Sequence, residues 1–464
     1  MIFPENKKNL VISYFFPSYI NTGGTVVAKR IIEEKQTVDV LQNDTKNTPK
    51  DESLNNILDN YIDLRIVLDA PYEIDWTWES IKSFTEKGMN ILNNISKEKP
   101  YDTIYSRSMP RQSHYLAYEY KKQYPETTWT AEFSDPIIFD IYGEKRIKSQ
   151  LNDQEYLKNL NNILEKENYP QIETTTTEYI CELLPYLFAD KIIFTNKNQQ
   201  EIMLTKFKEI NPNLDIKDKV KEKSIIKPQP TLPKEYYNKT PVEYEISDKY
   251  VNLAYFGLFY GTRNFEDVFY ALENIDETLK KYFKLHIFTS DKYFIERSIS
   301  DLKTKENIIL NDNRKYLEFL NLTQKFDALI LTDANTENYY KLNPYLPSKF
   351  ADYLGSGTDI WAITEKNSIL NQSDDIKYKS QLGDYHSSSK ILNKIISEKL
   401  SQKEYKVVGE TLELSKEQEE DNVLKYLQMR NMSLTNSLNK ESSLRQEREN
   451  EINELKRIID ELRK

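Results

Sequence analysis

The stretch that decides the fold spans residues 343–363 and reads Asn-Pro-Tyr-Leu-Pro-Ser-Lys-Phe-Ala-Asp-Tyr-Leu-Gly-Ser-Gly-Thr-Asp-Ile-Trp-Ala-Ile. Pro347 and Ser348 are typical of a helix start, and the Gly-Ser-Gly at 355–357 is typical of a helix end. The apolar residues within 359–364 then predict a buried strand. A short helix followed at once by a buried strand indicates an α/β sheet.

Lys349 and Asp352 fall in the first turn of this predicted helix. The free backbone N–H groups and the helix dipole already favour an anion there, and the Lys349 side chain adds a full positive charge. Asp352 lies on the same face, where its carboxylate can accept hydrogen bonds from a ligand. Together with Ser348, these residues predict a site for a phosphate and a hydroxylated group.

Glycine is scarce in this chain, with 10 among 464 residues, against an average usage of roughly 7%. Six of the glycines form three close pairs, Gly23 with Gly24, Gly257 with Gly261 and Gly355 with Gly357. Each of the first two pairs follows a strand-like segment. A strand, a glycine-bearing loop and a helix present backbone N–H groups to a ligand at the carboxyl edge of a sheet. Tight turns without a ligand are the alternative for each pair taken alone.

Composition narrows the class of protein. The net charge of −10, with 30% charged residues, excludes the overall positive charge that is typical of nucleic-acid-binding proteins. The single cysteine, Cys181, excludes an internal disulfide framework and fits a reducing cytosol. No segment has the apolar length that spans a bilayer, and the apolar run after Lys8 has strand chemistry rather than that of a signal peptide. We therefore expect a cytoplasmic protein, with peripheral contact at the inner face of the membrane left open.

An α/β rhythm occurs twice along the chain. The strand-like segments of the first half are residues 10–16, 38–41, 103–106, 128–133 and 191–195, and those of the second half are 251–256, 283–289, 308–310, 328–331 and 359–364. Helical stretches such as 78–95 and 114–123 lie between them. This alternation predicts parallel sheets with helices on both faces. The fold class is therefore α/β, with two doubly wound, Rossmann-like domains that face a cleft.

Four prolines crowd one polar segment between the two halves and indicate a linker. The predicted boundaries are a first domain at residues 1–232 with a long helical insert at about 144–187, a linker at 233–248, a second domain at 249–410 and a helical tail at 411–464. Within the tail an unbroken 3,4 spacing runs from Leu424 to Leu462, and eight of its twelve positions are apolar. This spacing predicts a long helix and a coiled coil, hence self-association or a partner protein through residues 424–462. A solvated single helix is the alternative.

Several segments resemble one enzyme family. Residues 345–357 and 361–370 resemble the donor-site segment of bacterial family 4 glycosyltransferases, which have the GT-B fold. The Phe-Pro and Gly-Gly pairs within residues 16–24 are similar to their N-terminal glycine loop. Trp-Thr-Ala-Glu-Phe-Ser-Asp-Pro at 129–136 resembles an acceptor-domain segment of a subgroup that builds cell-surface polysaccharides. The resemblance covers about residues 9–370 in the correct order.

The resemblance implies roles for residues of the second domain, which would bind a nucleotide-sugar donor. Arg263 and Lys349 would neutralise the charge that builds up on the departing nucleotide diphosphate, and they are the predicted catalytic residues. Asp352 matches the second acidic residue of a paired motif and would contact the nucleotide ribose. Pro344 stands where the first acidic residue is expected, and Asn343 is the candidate to replace it.

The other predicted donor contacts are Gly23, Gly24, Thr25, Gly257 and Ser348. The first three would approach the phosphates or the sugar from the opposite domain.

The acceptor-side candidates all belong to the first domain. They are Arg107, Ser108, His114, Glu132 and Asp135. Arg107 as a surface ion-pair residue, Asp135 as a turn cap and Glu132 as a solvated strand-end charge are the structural alternatives. Of the histidines, only His114 lies where it could do proton work.

The sequence favours an enzyme that needs no metal. Its three histidines lack ligand-like spacing, and no Asp-x-Asp pair or other metal motif occurs. We expect a glycosyltransferase that moves a sugar from a nucleotide-sugar to an acceptor hydroxyl of a glycan or glycoconjugate, with retention by resemblance, without cofactor, metal or nucleic acid. A catalytically weak GT-B scaffold that serves a partner transferase and a nucleotide-sugar epimerase remain as alternatives.

Overall fold

The structure is a computed structural model that describes residues 2–58, 60–69, 77–108, 110–146, 149–172, 176–259, 261–263 and 265–403. Met1–Ile275 and Leu279–Tyr405 belong to one compact unit, which contains both sheets. The predicted tail at 411–464 and its coiled coil at 424–462 lie outside the described residues.

The first sheet contains seven parallel strands. They are β1 (Asn9–Ile12), β2 (Val38–Asn43), β3 (Ile62–Leu68), β4 (Thr103–Ser108), β5 (Thr128–Phe133), β6 (Lys191–Phe194) and β7 (Ser224–Ile226). Their spatial order is β3-β2-β1-β4-β5-β6-β7. The direction of winding therefore reverses between β1 and β4, and ligands of such sheets bind outside the carboxyl ends of the strands at this point.

Helices connect these strands. They are α1 (Thr22–Glu34), α2 (Trp78–Ile95), α3 (Gln112–Gln123), α4 (Gln154–Lys166), α5 (Thr177–Phe188), α6 (Lys197–Ile210) and α7 (Lys217–Glu222), with short 3₁₀ segments at Glu52–Ile57 and Lys234–Asn238. Asn21 caps α1 with its side chain, as its residue type favours.

The second sheet contains six parallel strands in the order β10-β9-β8-β11-β12-β13. They are β8 (Val251–Phe256), β9 (Phe283–Phe288), β10 (Ile308–Asn311), β11 (Ala328–Thr332), β12 (Asp359–Thr364) and β13 (Tyr378–Gln381). The helices are α8 (Glu266–Glu273), α9 (Lys292–Ile299), α10 (Tyr316–Thr323), α11 (Lys349–Ser356), α12 (Ile369–Gln372) and α13 (Tyr385–Gln402), with 3₁₀ segments at Lys280–Tyr282 and Lys305–Asn307. Here the winding reverses between β8 and β11.

The two parallel sheets confirm the predicted fold class of two Rossmann-like domains. The sequence missed β3, β7 and β13, which are all edge strands. An edge strand of this kind is partly exposed, so it lacks the continuous apolar run that marks a central parallel strand. Two helices, α4 and α5, fall in the region of the predicted helical insert at about 144–187, and α5 is largely buried.

An apolar cluster joins the two halves. It includes Val27 and Ile31 of α1 together with Phe256 of β8, Phe319 of α10 and Tyr353 of α11. Because α1 packs into this shared cluster, its first turn is fixed beside the carboxyl edge of the second sheet. The cluster thereby sets the positions of the polar residues described next.

Candidate functional site

A cavity of about 600 Å³ lies between the two sheets. The second domain contributes Gly257, which follows β8, Thr332 at the end of β11 and the first turn of α11. The first domain contributes α1, which enters the cavity through Thr25 and its neighbours. The lining residues that follow β8 and β11 place the cavity at the switch point of the second sheet, where a doubly wound fold binds ligands.

The first turn of α11 lines this cavity, and no side chain caps it. Pro347, Ser348 and Lys349 all line it, and the Ser348 side chain makes no capping hydrogen bond. The helix ends at Gly357, whose left-handed backbone has a φ of 75°. The predicted helix is confirmed. Its uncapped N-terminus, which is the positive end of the helix dipole, faces the cavity and favours a bound anion there.

The first turn of α1 differs, because Asn21 already caps it. The Asn21 side-chain oxygen accepts hydrogen bonds from the backbone N–H groups of Gly23 at 2.8 Å and Gly24 at 3.2 Å. These two N–H groups are therefore occupied, and the predicted donor contact through them would require Asn21 to be displaced. The two glycines lie within the helix rather than in a loop before it. Gly24 is needed for close approach, since a Cβ there would lie 2.9 Å from the carbonyl oxygen of Phe15.

Arg263 and Lys349 both border the cavity, as do Arg314 and Lys315 of the same domain. Burial lowers the pKa of Lys349, with Arg263 acting in the same direction and Asp352 against it. The Nε atom of Arg263 is buried without a hydrogen-bond partner among the described residues. The two predicted catalytic cations thus lie near each other and near the uncapped end of α11. Their mutual repulsion is a cost that a bound dianion would relieve.

Asp352 is held by an ion pair that crosses between the domains. Its Oδ1 accepts from Lys29 Nζ at 2.7 Å and from the Tyr316 hydroxyl at 2.8 Å. Lys29 belongs to α1, and its side chain is only 2% exposed. The structure gives Oδ2 of Asp352 no partner among the described residues, so one carboxylate oxygen is left for a ligand hydroxyl. Sequence reasoning missed Lys29, although Lys29 and Arg30 are the two charged residues in a mainly apolar part of the predicted helix, residues 26–32.

We expect Lys29→Met to lower the free energy of unfolding by about 1–3 kcal/mol, because Asp352 would lose its charged partner in a poorly solvated place. The variant should also show a larger radius of gyration by small-angle X-ray scattering, since the ion pair joins the two domains. Lys35→Met, at an exposed lysine at the end of the same helix, should change neither quantity. The double variant Lys29→Glu with Asp352→Lys should restore the compact form, and failure to do so would argue against an electrostatic link.

Glu132 is a core residue rather than an acceptor contact. Its side chain is 0% exposed, and its two oxygens accept from Arg107 Nε at 3.2 Å and Arg30 Nε at 3.1 Å. The Tyr105 hydroxyl donates to it as well. Burial opposes ionisation, yet the two guanidinium groups hold the pKa of Glu132 below its ordinary value. A fully buried, paired carboxylate agrees neither with the predicted acceptor role of Glu132 nor with its alternative as a solvated charge. Arg107, for which a surface ion pair was the alternative, is the buried partner of Glu132.

His114 and Ser108 are also buried away from the cavity. His114 is fully buried, its Nδ1 bonds with the Ser106 hydroxyl at 2.8 Å, and burial together with Arg107 lowers its pKa to about 3. A histidine that is neutral and enclosed at physiological pH does no proton work on a bound substrate. Ser108 is buried at the end of β4, and its hydroxyl has no partner among the described residues. The sequence correctly predicted that Ser108 and His114 lie at or soon after the end of β4. It could not show that their side chains are buried rather than facing the cavity.

Asp135 is the acceptor-side candidate that stays near the donor cations. It follows β5 and is half-buried. Burial raises the pKa of Asp135, and the nearby charges of Arg107, Arg146 and Arg263 act against that shift. Asp135 therefore has Arg263 of the other domain among its electrostatic neighbours.

No protein-family model and no curated protein sequence matches this chain. Solved structures do match it in fold. Sucrose-phosphate synthase from Thermosynechococcus elongatus is 12% identical, with a TM-score of 0.52 over 85% of this chain and 90% of that one. The N-terminal domain of Candida albicans trehalose-6-phosphate phosphatase is 12% identical, with a TM-score of 0.52 over 86% of this chain and 93% of that one. An E. coli structure described as trehalose-6-phosphate bound with UDP-2-fluoro glucose is 9% identical, with a TM-score of 0.51 over 86% and 94%.

The chain has the GT-B fold. Pro344, which stands where the resemblance predicts an acidic residue, takes part in a contact between the two domains. The carbonyl oxygen of Pro344 accepts from Asn196 Nδ2 at 3.0 Å, and that of Asn343 accepts from Asn198 Nδ2 at 3.0 Å. The Asn343 side chain is buried and bonds to backbone groups of Ala334 and Tyr345. Asn343 therefore does not replace the missing acid, and this segment joins the two domains instead.

The described residues contain no group of three or more His, Cys, Asp and Glu side chains placed to hold a metal ion. They also contain no helix that is both long enough and apolar enough to cross a membrane.

Proposed function

We propose that this chain is a glycosyltransferase that moves a sugar from a nucleoside-diphosphate sugar to an acceptor hydroxyl. The observation that carries the proposal is the uncapped first turn of α11, with Lys349 in it and Arg263 beside it, in a cavity at the switch point of a GT-B fold. A diphosphate is the group that this arrangement of N–H donors and two cations suits. The one free oxygen of Asp352 would accept a hydrogen bond from a ribose hydroxyl.

The chemistry assigned to the site is charge stabilisation. As the bond between the sugar and the diphosphate breaks, negative charge builds up on the departing phosphate, and Arg263 and Lys349 would stabilise it. The acceptor oxygen then bonds to the sugar carbon, and its proton passes to the departing diphosphate. We propose, from the family resemblance, that the transfer retains configuration, needs no metal and serves surface polysaccharide or glycoconjugate synthesis. Closure of the domains would exclude water from the bound donor.

A catalytically weak GT-B scaffold is the second candidate. The observation that favours it is Pro344, which replaces a donor-contacting acid and whose carbonyl oxygen instead joins the two domains. Such a protein would keep the fold and lose the affinity for donor. Donor affinity therefore separates the two candidates.

Isothermal titration with full-length protein tests the proposal. The ligands are UDP, GDP, ADP and CDP, each with its monophosphate and its nucleoside. We expect one diphosphate to bind about 10- to 100-fold more tightly than its nucleoside, because charge-assisted hydrogen bonds to the phosphates carry the difference. Equal affinity for nucleoside and diphosphate would show that the α11 turn does not bind phosphate.

The remaining outcomes separate the alternatives. No binding of any diphosphate would favour the scaffold. Conversion of the matching nucleotide-sugar to its epimer without an acceptor would favour the epimerase. Transfer of a labelled sugar from that donor to a cell-envelope extract would support the transferase.

A further inference from the structure

A short hairpin follows β5 and ends against the other domain. Its arms close through an antiparallel bridge between Phe139 and Lys145, and the Arg146 N–H donates to the Ile138 carbonyl at 2.7 Å. At the tip, the Asp140 carboxylate accepts from the N–H groups of Tyr142 at 2.9 Å and Glu144 at 3.0 Å. This acceptor hairpin, residues 138–146, is therefore a fixed element rather than a loose loop.

The tip of the acceptor hairpin meets the loop that follows β11. The Tyr340 hydroxyl donates to the carbonyl oxygen of Asp140. Gly143 has a φ of +73°, and a Cβ there would lie 3.3 Å from the carbonyl oxygen of Tyr339. Both constraints favour glycine at this position, because the backbones of the two domains come close only without a side chain.

Two tyrosines at this junction remain half-exposed. The rings of Tyr142 and Tyr339 meet edge to face, with centroids 5.4 Å apart and planes at 89°. Their exposed fractions are 45% and 44%. Perpendicular rings form a corner, in which one aromatic face and the polar edge of a second phenol are both open to a ligand.

The tyrosine corner, formed by Tyr142 and Tyr339, lies next to the loop that follows β8 and contains Gly261. We call this loop the donor loop. A Cβ added to Gly261 would lie 3.7 Å from the Tyr142 hydroxyl, so the phenol stands beside the loop that leads to Arg263. Neither tyrosine is among the described residues that line the donor cavity, whereas Arg263 is. Asp135 and Arg146 are close enough to interact electrostatically, and Arg263 interacts with Asp135 as well. Asp135 thus has charged neighbours both at the end of the acceptor hairpin, in Arg146, and at the donor site, in Arg263.

We propose that Tyr142 and Tyr339 form an acceptor subsite that holds a pyranose ring of a glycan beside the donor loop. The inference rests on the proposed function and names the acceptor class of the same site. The C–H face of a pyranose is apolar and packs on an aromatic ring, while its hydroxyls need polar partners at the ring edge. Tyr142 and Tyr339 supply the face and the phenolic edge, and Asp135 would accept a hydrogen bond from the hydroxyl that reacts.

A glycan fits this corner better than the other acceptor classes. A lipid surface would call for a broad apolar patch, whereas the corner consists of two phenols with carboxylate and guanidinium groups nearby. An extended peptide would call for an open strand edge or an apolar groove, and the corner offers neither. The subsite is also complete only when both domains are in place, because each contributes one tyrosine.

The test uses full-length protein and two independent readouts. Binding to a printed array of bacterial surface glycans reports on the subsite, and titration with the diphosphate identified above reports on the donor site. We expect Tyr142→Ala and Tyr339→Ala each to weaken glycan binding by about tenfold. Tyr142→Phe and Tyr339→Phe should stay within about threefold of wild type, because the aromatic faces remain. Tyr293→Ala, at a tyrosine that is 73% exposed elsewhere on the second domain, should change nothing.

The affinity for the diphosphate should be the same in all these variants. Wild-type protein that binds a diphosphate but no glycan would overturn the subsite and leave the proposed function standing. Unchanged glycan binding in a variant that carries both Tyr142→Ala and Tyr339→Ala would overturn it too. Protein that binds no nucleotide would refute the donor site instead, and an unchanged affinity for the diphosphate shows that an alanine variant is folded.

Discussion

Replacing both Arg263 and Lys349 with alanine is expected to lower the rate of sugar transfer by about 10³- to 10⁵-fold, the scale on which one or two positioned cations act on a departing phosphate. The two side chains border the same cavity as the uncapped turn of α11. Without them the diphosphate would keep the backbone N–H groups of α11 but lose these two positive charges, although Lys29, Arg314 and Lys315 still line the cavity. The measurement is transfer of a labelled sugar from the nucleotide-sugar whose diphosphate binds.

The design includes variants that separate charge from shape. Arg263→Lys and Lys349→Arg keep the charge and should lose less than the alanine variants, because geometry changes while neutralisation persists. Lys341→Ala is the matched control, since this lysine is exposed and lies in the same segment of the chain. An alanine double variant that transfers sugar at the wild-type rate would remove both residues from the mechanism. Loss of diphosphate binding without any change in the rate at saturating donor would assign them to binding alone.

Much of the fold could be predicted because central parallel strands carry a strong signal. β8 and β12 have the bounds that their apolar runs indicate. α11 begins after Ser348 and ends at Gly357, as the helix signals in its sequence require. Edge strands such as β3 carry polar residues on their exposed side, and a single sequence does not distinguish them from loops.

Some residues of the candidate site could likewise be predicted from local sequence patterns, and others could not. Lys349, Ser348 and Asp352 were predictable because local helix chemistry places them, and the structure brings all three to one cavity. Lys29 was missed because its importance depends on a contact with Asp352, which lies in the other domain and 323 residues away in the chain. A local sequence pattern predicts which side chains one helix or strand exposes. It does not predict which side chains of the other domain will contact them.

Glu132 shows the opposite error, in which a functional role was predicted for a residue of the core. The segment Trp-Thr-Ala-Glu-Phe resembles an acceptor segment, and a charged residue at the end of a strand is commonly exposed. Here Arg30 of α1 and Arg107 of β4 enclose the carboxylate from two sides. Both arginines were visible in the sequence, but Arg107 meets Glu132 because the strand order makes β4 and β5 neighbours, and Arg30 meets it from α1.

We therefore expect Glu132→Ala to lower the free energy of unfolding by about 3–5 kcal/mol, the cost of leaving buried guanidinium groups without their counter-ion. Glu132→Gln keeps the shape and one acceptor and should lose about 1–3 kcal/mol. Urea unfolding measures both. Glu126→Ala, at an exposed glutamate of the same domain, should stay within about 0.5 kcal/mol of wild type. If Glu132→Ala fell within that same margin, the buried network would not exist in solution.

The pH dependence provides an independent check on the same network. The folded protein holds the pKa of Glu132 below its ordinary value of 4.5, so the stability that this group contributes is present above that pH and is lost as the pH falls through the lowered value. The difference in unfolding free energy between wild type and Glu132→Gln should therefore be constant from about pH 6 to 8 and shrink below about pH 4.5. A difference that grew on acidification would mean that burial outweighs the two arginines. Glu132 would then be a carboxyl group kept neutral in the core, available as a proton donor, and its exclusion from the chemistry of the site would have to be withdrawn.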